Sequence, residues 1–367
     1  MEDLDVTTSQ LPNPAFWKEK RVLLTGHTGF KGSWTSLWLA AMGAKVTGYA
    51  LAPDTEPALF ELAGVERDVV SVIGDIRDAR ALQRAIEKAD PEIVLHMAAQ
   101  PLVRRSIVTP FETFAVNVQG TAQLLEALRH RRALRAVLIV TSDKVYANEV
   151  PVRPFIESDP LGGKDPYSAS KAAVELVTRA YAVSYFDGAG VPVATARAGN
   201  IIGGGDFALD RLVPDVIRAV RAGKRLTLRH PEATRPWHHV LDCIAGYLLF
   251  VEGLVRGEDV PRALNFGPDP SKPMTVAALA EAVLSALGEK PQWDYLPDPD
   301  SIEMQALALD SSRARKTLGW RTRFSAAAAI AQTTEWYRAF AAGADLRHAT
   351  LAQITAYREP EASISAA

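Results

Sequence analysis

Short apolar runs alternate with amphipathic segments through the first 200 residues, and this alternation limits the possible folds more than any other feature. Each run is nearly continuous in apolar or β-branched residues, as expected of parallel strands that helices cover on both faces. Between the runs, segments such as 79–89 and 120–131 carry apolar residues at helical spacing. Repeats of strand and helix imply right-handed crossovers, so the pattern predicts a doubly wound α/β fold. The predicted strands are 21–25, 45–50, 69–73, 93–97, 136–141 and 193–197.

The regular alternation ends near residue 201, where glycine, proline, arginine and aromatic residues become frequent. Helical patterns persist at 212–222, 276–287 and 326–342, which predicts a smaller mixed α/β lobe over the open edge of the sheet. The sequence shows no internal repeat and no long linker. The predicted organisation is a mobile leader over 1–15, a Rossmann domain over 16–200, a C-terminal lobe over 201–345 and a weakly patterned tail over 346–367, whose end we expect to be disordered.

The charge balance and the cysteine count exclude several classes of protein. Lys and Arg total 41 against 43 Asp and Glu, a net charge of −2, so nothing predicts a nucleic-acid partner. The single cysteine, Cys243, cannot form an intramolecular disulfide or a cysteine-rich zinc site, and it fits a reducing compartment. The N-terminus lacks the pattern of a signal peptide, and no apolar stretch approaches the roughly 18 residues of a membrane helix. We therefore expect a cytoplasmic protein without a membrane partner.

Three glycines at a spacing of three follow the first predicted strand. Gly26, Gly29 and Gly32 lie in the string GHTGFKG, and a helical pattern follows directly at 33–42. Glycines let the backbone turn sharply and approach a pyrophosphate, while the helix N-terminus offers free N–H groups and a positive dipole end. Glycine is common in turns, but this position between a strand and a helix predicts a dinucleotide-binding turn.

The residue that would select the adenosine ribose is less well defined. The second strand leads into YALAPD without an acid at its tip, so Asp54 is the candidate, and the choice between NAD and NADP stays open at this point. Asp75 follows the third strand and is better placed to accept a hydrogen bond from the adenine amino group. A helix-capping role for Asp75 fits its position equally well.

Tyr167 and Lys171 are four residues apart at the start of a predicted helix that runs to about residue 185. This spacing places both side chains on one helical face. A neighbouring ammonium group favours a phenolate, which predicts a lowered pKa for Tyr167 and a role as general base. Lys171 could also hydrogen-bond a nicotinamide ribose. The same pair occurs by chance on protein surfaces, but its place after a dinucleotide turn and a fifth strand favours catalysis.

Three polar residues follow the fifth predicted strand, at the carboxyl edge where open α/β sheets bind their ligands. Ser142 could share a proton with a substrate hydroxyl and with Tyr167, while Asp143 is a candidate acid. Lys144 beside it is a second titratable group. The alternative is a polar strand end that leads into a loop.

These motifs resemble those of the extended short-chain dehydrogenases/reductases that act on nucleotide sugars, over residues 16–340. The resemblance rests on the glycine turn, HMAAQ at 96–100, Asn117 in VNVQGT, Ser142, and Tyr167 with Lys171. Longer strings resemble the members of this family that remove water from CDP-glucose. These strings are GHTGFKGSW at 26–34, TSDKVY at 141–146, RAGNIIGGGD at 197–206 and RPWHHV at 235–240.

The resemblance implies a 4,6-dehydratase that uses NAD to oxidise the sugar at C4, eliminates water across C5 and C6, and returns the hydride to C6. It implies Tyr167 as the base at the 4-hydroxyl and Asp143 as the acid at C6. Dehydratases for other nucleotide sugars have an Asp-Glu pair where this chain has Asp143 and Lys144, so Lys144 takes the position of the C5 base. An ordinary lysine pKa of about 10.4 would leave it charged, so either burial depresses that pKa or Lys144 stabilises the enolate instead.

The resemblance also implies the binding residues. The cofactor residues are Gly26, Thr28, Gly29, Phe30, Lys31, Gly32, Asp75, Ile76, Ala98, Ala99, Gln100 and Asn117, together with Tyr167 and Lys171. The substrate residues, in the lobe that we expect to bind the nucleotide sugar, are Asn200, Asp206, Arg211, Arg235 and His239. The arginines are candidates for the diphosphate because guanidinium groups match phosphate oxygens bidentately. No metal-ligand spacing is present, so we expect no metal, and the relatives imply a homodimer or homotetramer.

Two other functions share parts of this pattern. A nucleotide-sugar 4-epimerase would also use Tyr167 and Lys171, but it needs neither an acid at C6 nor a base at C5, so Asp143 and Lys144 argue against it. A non-catalytic dinucleotide-binding regulator would not require the tyrosine–lysine pair. A net dehydrogenase would consume cofactor in stoichiometric amount. No residue reads the nucleotide base, so cytidine rests on the resemblance alone.

Overall fold

The computed structural model of the protein describes residues 9–147, 153–298 and 306–359. Its strands are β1 Arg21–Thr25, β2 Lys45–Ala50, β3 Val70–Ile73, β4 Ile93–His96, β5 Ala136–Val140, β6 Val193–Ala198, β7 Ile201–Ile202, β8 Leu226–Leu228, β9 Thr234–Arg235, β10 His238–His239, β11 Ala263–Phe266, β12 Met274–Thr275 and β13 Trp293–Tyr295. Its α-helices are α1 Pro14–Trp17, α2 Phe30–Ala41, α3 Leu59–Leu62, α4 Ala79–Ala89, α5 Val103–Val108, α6 Pro110–Phe114, α7 Gly120–Leu128, α8 Pro166–Tyr181, α9 Leu212–Arg221, α10 Val240–Arg256, α11 Val276–Ala286, α12 Ser312–Leu318, α13 Ala326–Ala341 and α14 Leu346–Arg358.

Seven strands form one sheet in the order β11-β6-β5-β4-β1-β2-β3. All of its pairings are parallel. From β1 the chain builds outward first to β2 and β3 and then, on the other side, to β4, β5 and β6, so the order reverses between β1 and β4. At such a switch point the connections diverge and leave a crevice at the carboxyl edge of the sheet. The predicted doubly wound parallel sheet is confirmed.

The strands read as continuous apolar runs because helices cover both faces of the sheet. Every residue of β4, β5 and β6 is buried. Side chains alternate between the faces, so Leu24 packs with Trp34 and Trp38 of α2, while its neighbour Leu23 packs with Leu82 on the opposite side. Burying a leucine side chain stabilises the fold by roughly 1.5–3 kcal/mol, so these two clusters hold the sheet between its helices.

The predicted elements agree with the structure except at their ends. Helix α4 spans 79–89 as predicted, because the Asp78 side chain accepts a hydrogen bond from the Ala81 N–H at 3.0 Å and caps it. Helix α2 begins at Phe30, three residues before the prediction, with Gly29 at its N-cap. Strand β11 was not predicted, since it lies in the part assigned to the C-terminal lobe, beyond the regular alternation of strands and helices. It pairs with β6 at the edge of the main sheet.

Two segments near the chain ends, 9–15 and 346–358, are more ordered than their sequence patterns indicated. The segment 346–358 is helix α14 rather than a weakly patterned tail, and Ile354 and Tyr357 on it are buried against the core. The segment 9–15, predicted as part of a mobile leader, is bonded to the core, since the Asn13 N–H donates to Glu252 Oε1 at 2.8 Å. Residues 1–8 and 360–367 lie outside the described residues.

Among the described residues, three short strand pairs lie outside the main sheet and form part of the C-terminal lobe. Strand β8 pairs with β13, β9 with β12, and β7 with β10. Helices α9 and α11 pack on each other next to β8 and β12. Over the described part of the chain, no helix combines the length and the apolar character that a membrane crossing requires.

Candidate active site

The glycine turn after β1 adopts a geometry that side chains would obstruct. Gly26 has φ +80°, and a Cβ on it would lie 2.8 Å from the Ala98 nitrogen. A Cβ on Gly32 would lie 2.0 Å from the Gly26 carbonyl oxygen, so α2 can approach the turn only with glycine at this position. The N-terminus of α2 consequently faces the crevice at the switch point, as a site for an anionic group requires.

One cleft gathers most of the predicted cofactor residues from the carboxyl ends of β1, β3 and β4. Its lining includes Gly26, Thr28, Gly29, Phe30, Lys31, Gly32, Asp75, Ile76, Ala98, Ala99 and Gln100. Asp54 also lines it, in the loop that follows β2. Lys31 lies there with its ammonium group 5.7 Å from the centre of the Tyr247 ring, and burial lowers the pKa of that ammonium group. These residues therefore form one continuous surface.

Asp75 does not cap a helix. That role belongs to Asp78, three residues further along the chain. The Asp75 carboxylate instead accepts from the Arg77 guanidinium at 2.9 Å and from its backbone N–H at 2.8 Å, and these bonds lower its pKa. Asp75 thus remains an ionised acceptor on the wall of the cleft.

Asn117 lies behind the cleft rather than in it. Its side chain is buried, where Oδ1 accepts from the Gln100 N–H at 2.8 Å and Nδ2 donates to the Gln100 carbonyl at 3.1 Å. Nδ2 also donates to the Ser170 hydroxyl at 2.9 Å. These bonds tie the loop after β4 to helix α8. Asn117 thus supports Gln100, which lines the cleft, and its own contact with the cofactor stays a prediction.

Helix α8 presents Tyr167 and Lys171 on one face, and Asp165 caps the helix by accepting from the Ser168 N–H at 2.9 Å. Both side chains are buried, and Lys171 Nζ donates to the Val140 carbonyl at the end of β5 at 3.2 Å. The Tyr167 phenol lies close enough to the Ser142 hydroxyl for that group to lower its pKa. The structure therefore brings the helix pair and the end of β5 together, as predicted.

The predicted effect of Lys171 on Tyr167 is wrong. Burial raises the pKa of Tyr167 to about 12, and the nearby Ser142 hydroxyl only partly opposes that rise. Burial also lowers the pKa of Lys171 to about 7, with Lys31 acting in the same direction. Desolvation disfavours the charged form of both groups. Its effect on the pKa of Tyr167 therefore outweighs the lowering expected from the Lys171 ammonium group.

Asp143 is buried in a way that favours its protonated form. It is 2% exposed, and burial raises the pKa of its carboxyl group although Lys144 and Ser142 oppose the rise. Ser142 Oγ donates to its Oδ1 at 3.0 Å. Its Oδ2 has no hydrogen-bond partner among the described residues. A protonated Oδ2 would therefore be free to give its proton to another group.

A second cleft contains four of the five predicted substrate residues. They are Asn200, Asp206, Arg211 and Arg235. Asp206 and Arg211 form an ion pair at 3.0 Å and line both clefts, so the two clefts meet at this pair. Arg235 is close enough to Asp143 to lower its pKa, which places one end of this cleft beside the acid.

His239 lies outside both clefts, and the structure gives it a different role. Its ring is fully buried, its Nδ1 accepts from the Leu241 N–H at 3.3 Å at the start of α10, and it packs edge-on against Trp34 and Phe324. Burial lowers the pKa of this ring to about 3. His239 therefore caps α10 from inside the core, where its ring packs against two aromatic side chains.

Sequence reasoning missed the residues that hold the junction of the clefts. The Trp34 indole donates to the Gly204 carbonyl at 2.9 Å, and the Tyr337 phenol donates to the Asp206 carbonyl at 2.5 Å. Tyr337 lies on α13, and no local pattern connects it with a loop 131 residues earlier. In the described ranges, no group of three or more His, Cys, Asp or Glu residues could hold a metal ion.

Comparison with known proteins agrees with this geometry. Residues 22–267 match the NAD dependent epimerase/dehydratase family. The chain belongs to this family. It is also 42% identical over 348 residues to a CDP-glucose 4,6-dehydratase of Salmonella typhimurium, covering 93% of this chain and 97% of the relative. The resemblance inferred from the motifs is thereby confirmed.

Other members of the epimerase/dehydratase family are more distant. A dTDP-glucose 4,6-dehydratase of Xanthomonas campestris is 31% identical, over 86% of this chain and 92% of its own. The crystal structure of a dTDP-glucose 4,6-dehydratase from Streptomyces venezuelae with NAD bound superposes with a TM-score of 0.76 at 28% identity, covering 89% of this chain and 99% of that one. A UDP-glucose 4-epimerase from Thermotoga maritima shares the fold at 22% identity, with a TM-score of 0.75 over 87% of this chain and 99% of its own.

Proposed function

We propose that this protein is an NAD-dependent dehydratase that converts CDP-D-glucose to CDP-4-keto-6-deoxy-D-glucose and water. The observation that carries the proposal is the buried Asp143 beside Ser142 and near Tyr167. Its Oδ2 has no hydrogen-bond partner among the described residues, and burial raises the pKa of its carboxyl group. The identity to a CDP-glucose 4,6-dehydratase over nearly the whole chain supports the substrate. A 4-epimerase would share Tyr167 and Lys171 but would have no use for the acid.

The first cleft fits NAD. The turn at Gly26 and Gly32 leaves no space for a Cβ, so backbone N–H groups can approach a pyrophosphate, and Asp75 offers an ionised acceptor further along the wall. We assign the binding to the eleven cleft residues named above, with Lys171 as a candidate for the nicotinamide ribose. When bound, NAD supplies the hydride acceptor for the sugar C4 and returns the hydride to C6.

Tyr167 acts at the 4-hydroxyl of the sugar in this proposal. Ser142, which donates to Asp143 and lies near the phenol, gives the sugar hydroxyl a second hydrogen-bond partner. Loss of the 4-hydroxyl proton to Tyr167 requires a phenolate, which burial disfavours, so positive charge next to the phenol is needed when substrate binds. Lys171, one turn along α8, can provide it by taking up a proton, since its pKa of about 7 is near neutrality.

Asp143 and Lys144 act on the other side of the sugar. A ketone at C4 acidifies the C5 hydrogen, and removal of that hydrogen expels the 6-hydroxyl once an acid protonates it. Asp143 is the acid, because its Oδ2 is unpaired among the described residues and its carboxyl group is neutral over a wider pH range than usual. We assign Lys144 to C5, where it either accepts the proton or stabilises the enolate. Arg235 and Arg211 are assigned to the diphosphate.

The experiment that tests the function is incubation with CDP-, dTDP-, UDP- and GDP-glucose in the presence of NAD, followed by mass spectrometry. We expect the CDP sugar to lose one water. Loss of water from only another nucleotide's sugar would correct the substrate. An unchanged mass with conversion to the 4-epimer would establish the epimerase instead.

We further propose that the protein forms a homodimer through helices α5, α6 and α8. Val108 and Phe111 on the first two helices are 80% and 86% exposed, and Leu176 on α8 and Val183 just after it are also exposed apolar residues. These helices pack against each other, so the side chains form one apolar face. Sedimentation of the parent and of Phe111→Glu tests this, with a dimer and a monomer as the expected results.

We also propose a cytoplasmic location, which the free, buried Cys243 supports.

A further inference from the structure

Glu175 is a buried carboxylate that the proposed mechanism does not use. It lies on α8, one turn beyond Lys171. Its Oε1 accepts from the Thr141 hydroxyl at 2.6 Å and from Arg197 Nε at 3.0 Å. Its Oε2 accepts from the Thr195 hydroxyl at 2.7 Å and from Arg197 Nη2 at 2.8 Å. Four donors thus fix the carboxylate, and the ion pair with Arg197 is buried, with side chains 4% and 5% exposed.

Arg197 extends the same network to the other side of the active site. It lies on β6, and its Nη1 donates to the Tyr146 hydroxyl at 2.9 Å and to the Glu157 carbonyl at 3.0 Å. The Tyr146 hydroxyl in turn donates to Asn265 Oδ1 on β11 at 2.6 Å. The Tyr146 ring stacks on Phe155 with ring centres 4.7 Å apart, so this phenol is held by packing as well as by hydrogen bonds.

The two ends of this network flank residues 142–144, which we call the acid segment. Thr141 directly precedes Ser142, and Tyr146 follows Lys144 by two residues. One side of the acid segment is therefore bonded to Glu175, the other to Arg197, and those two residues are bonded to each other. Because Glu175 belongs to the same helix as Tyr167, the network fixes the acid segment relative to the catalytic tyrosine.

We propose that Glu175 and Arg197 are positioning residues that set where the acid segment lies for the elimination step. This inference rests on the proposed function. A buried ion pair adds little net stability compared with a well-packed apolar pair, whereas its directed hydrogen bonds impose a geometry. Oxidation at C4 depends chiefly on Tyr167 and Lys171, which α8 carries, while Ser142 of the acid segment is only a second hydrogen-bond partner of the sugar hydroxyl. Elimination needs Asp143 and Lys144 at fixed positions relative to α8, so it depends more strongly on the network than oxidation does.

The test uses two variants that each remove one hydroxyl and keep the volume, Thr141→Val and Tyr146→Phe. Each is mixed rapidly with CDP-glucose and NAD. Absorbance of the reduced nicotinamide reports oxidation at C4, and mass spectrometry of quenched samples reports loss of water. We expect water loss to slow on the order of tenfold while oxidation is nearly unchanged, because small displacements of reacting groups cost rate steeply. Reduced cofactor should then accumulate.

Tyr357→Phe is the matched control. It removes a buried phenol that donates to Asp242 Oδ1 at 2.8 Å, on helix α14 and outside both clefts. It should leave the ratio of the two rates at the parent value. If Thr141→Val and Tyr146→Phe lower both rates in proportion, or lower neither, the positioning role is refuted while the proposed function stands. A parent protein that removes no water from any nucleotide hexose refutes the proposed function, and the inference with it.

Discussion

Tyr167, Lys171 and Asp143 lie in one buried region at the carboxyl edge of the sheet, where desolvation acts on all three. Burial raises the pKa of Tyr167 to about 12, lowers that of Lys171 to about 7 and raises that of Asp143. Each shift favours the neutral form. The residues and their proximity were predictable from the sequence, but the direction of the tyrosine shift was not. A spacing of four shows that two groups are neighbours, while the extent of burial depends on distant parts of the chain.

Replacement of single groups should separate the two halves of the reaction. Tyr167→Phe removes the group that takes the 4-hydroxyl proton, so no reduced nicotinamide should form with CDP-glucose. Asp143→Asn keeps the shape of the acid but cannot protonate the leaving hydroxyl, so oxidation should persist while water loss slows by about 10²-fold or more. Rapid mixing with absorbance and mass readouts measures both. A parent-like rate of water loss in Asp143→Asn would remove the acid from the mechanism.

The depressed pKa of Lys171 has a consequence for stability. Its folded-state pKa is about 7 against a usual value of 10.5, so between these values the unfolded chain binds the additional proton. The free energy of unfolding contributed by this group therefore rises with pH across that window, by up to about 1.4 kcal/mol per pH unit. Below that window Lys171 is protonated in both the folded and the unfolded state, so the full free-energy cost of burying its charge destabilises the fold. Urea unfolding of the parent and of Lys171→Met at pH 7, 8 and 9 measures this effect. The free energy of unfolding of the parent, relative to that of the variant, should increase with pH. A constant difference would contradict the shift.

The order of strands and helices was predictable because each element carries a local pattern. Strands β1 to β6 and helix α4 were recognised from their apolar patterns. Burial on both faces explains the pattern of β4, β5 and β6, whereas the edge strand β3 is partly exposed. Strand β11 and helix α14 were missed for a different reason. Both lie in the part of the chain where the regular alternation of strand and helix has ended, and both are defined by the surfaces they pack against. Tertiary contacts of this kind have no local signal.

The glycine turn allows a prediction about a single element. Gly32→Ala puts a Cβ 2.0 Å from the Gly26 carbonyl, so either the turn or the start of α2 must shift. We expect affinity for NAD to fall by about tenfold or more, which corresponds to about 1.4 kcal/mol of binding free energy. Gly188→Ala is the control, since a Cβ there meets nothing within 4 Å. Isothermal titration of both variants measures the effect, and parent-like affinity in Gly32→Ala would show that the turn does not bind the cofactor.

At the scale of the whole molecule, the parallel sheet brings distant residues to one edge. The glycine turn follows β1, the acid segment follows β5, and Asn200 and Asp206 follow β6. Their common position at the edge could be predicted, because parallel strands end on the same side. The meeting of the two clefts at the Asp206–Arg211 pair could not, since it depends on α2 and α13 holding the loop at 204–206. His239 and Asn117 were predicted to contact ligands because their packing and hydrogen-bond partners come from distant parts of the chain, which the sequence does not show.

The account predicts that hydrogen leaves C4 of the sugar and returns within the same molecule to C6. CDP-glucose carrying deuterium at C4 tests this directly, with NAD in catalytic amount and the product analysed by NMR. We expect a 4-keto-6-deoxy sugar with the deuterium on its methyl group at C6. Deuterium recovered in the cofactor or the solvent, or a product that retains it at C4, would contradict the proposed internal redox cycle.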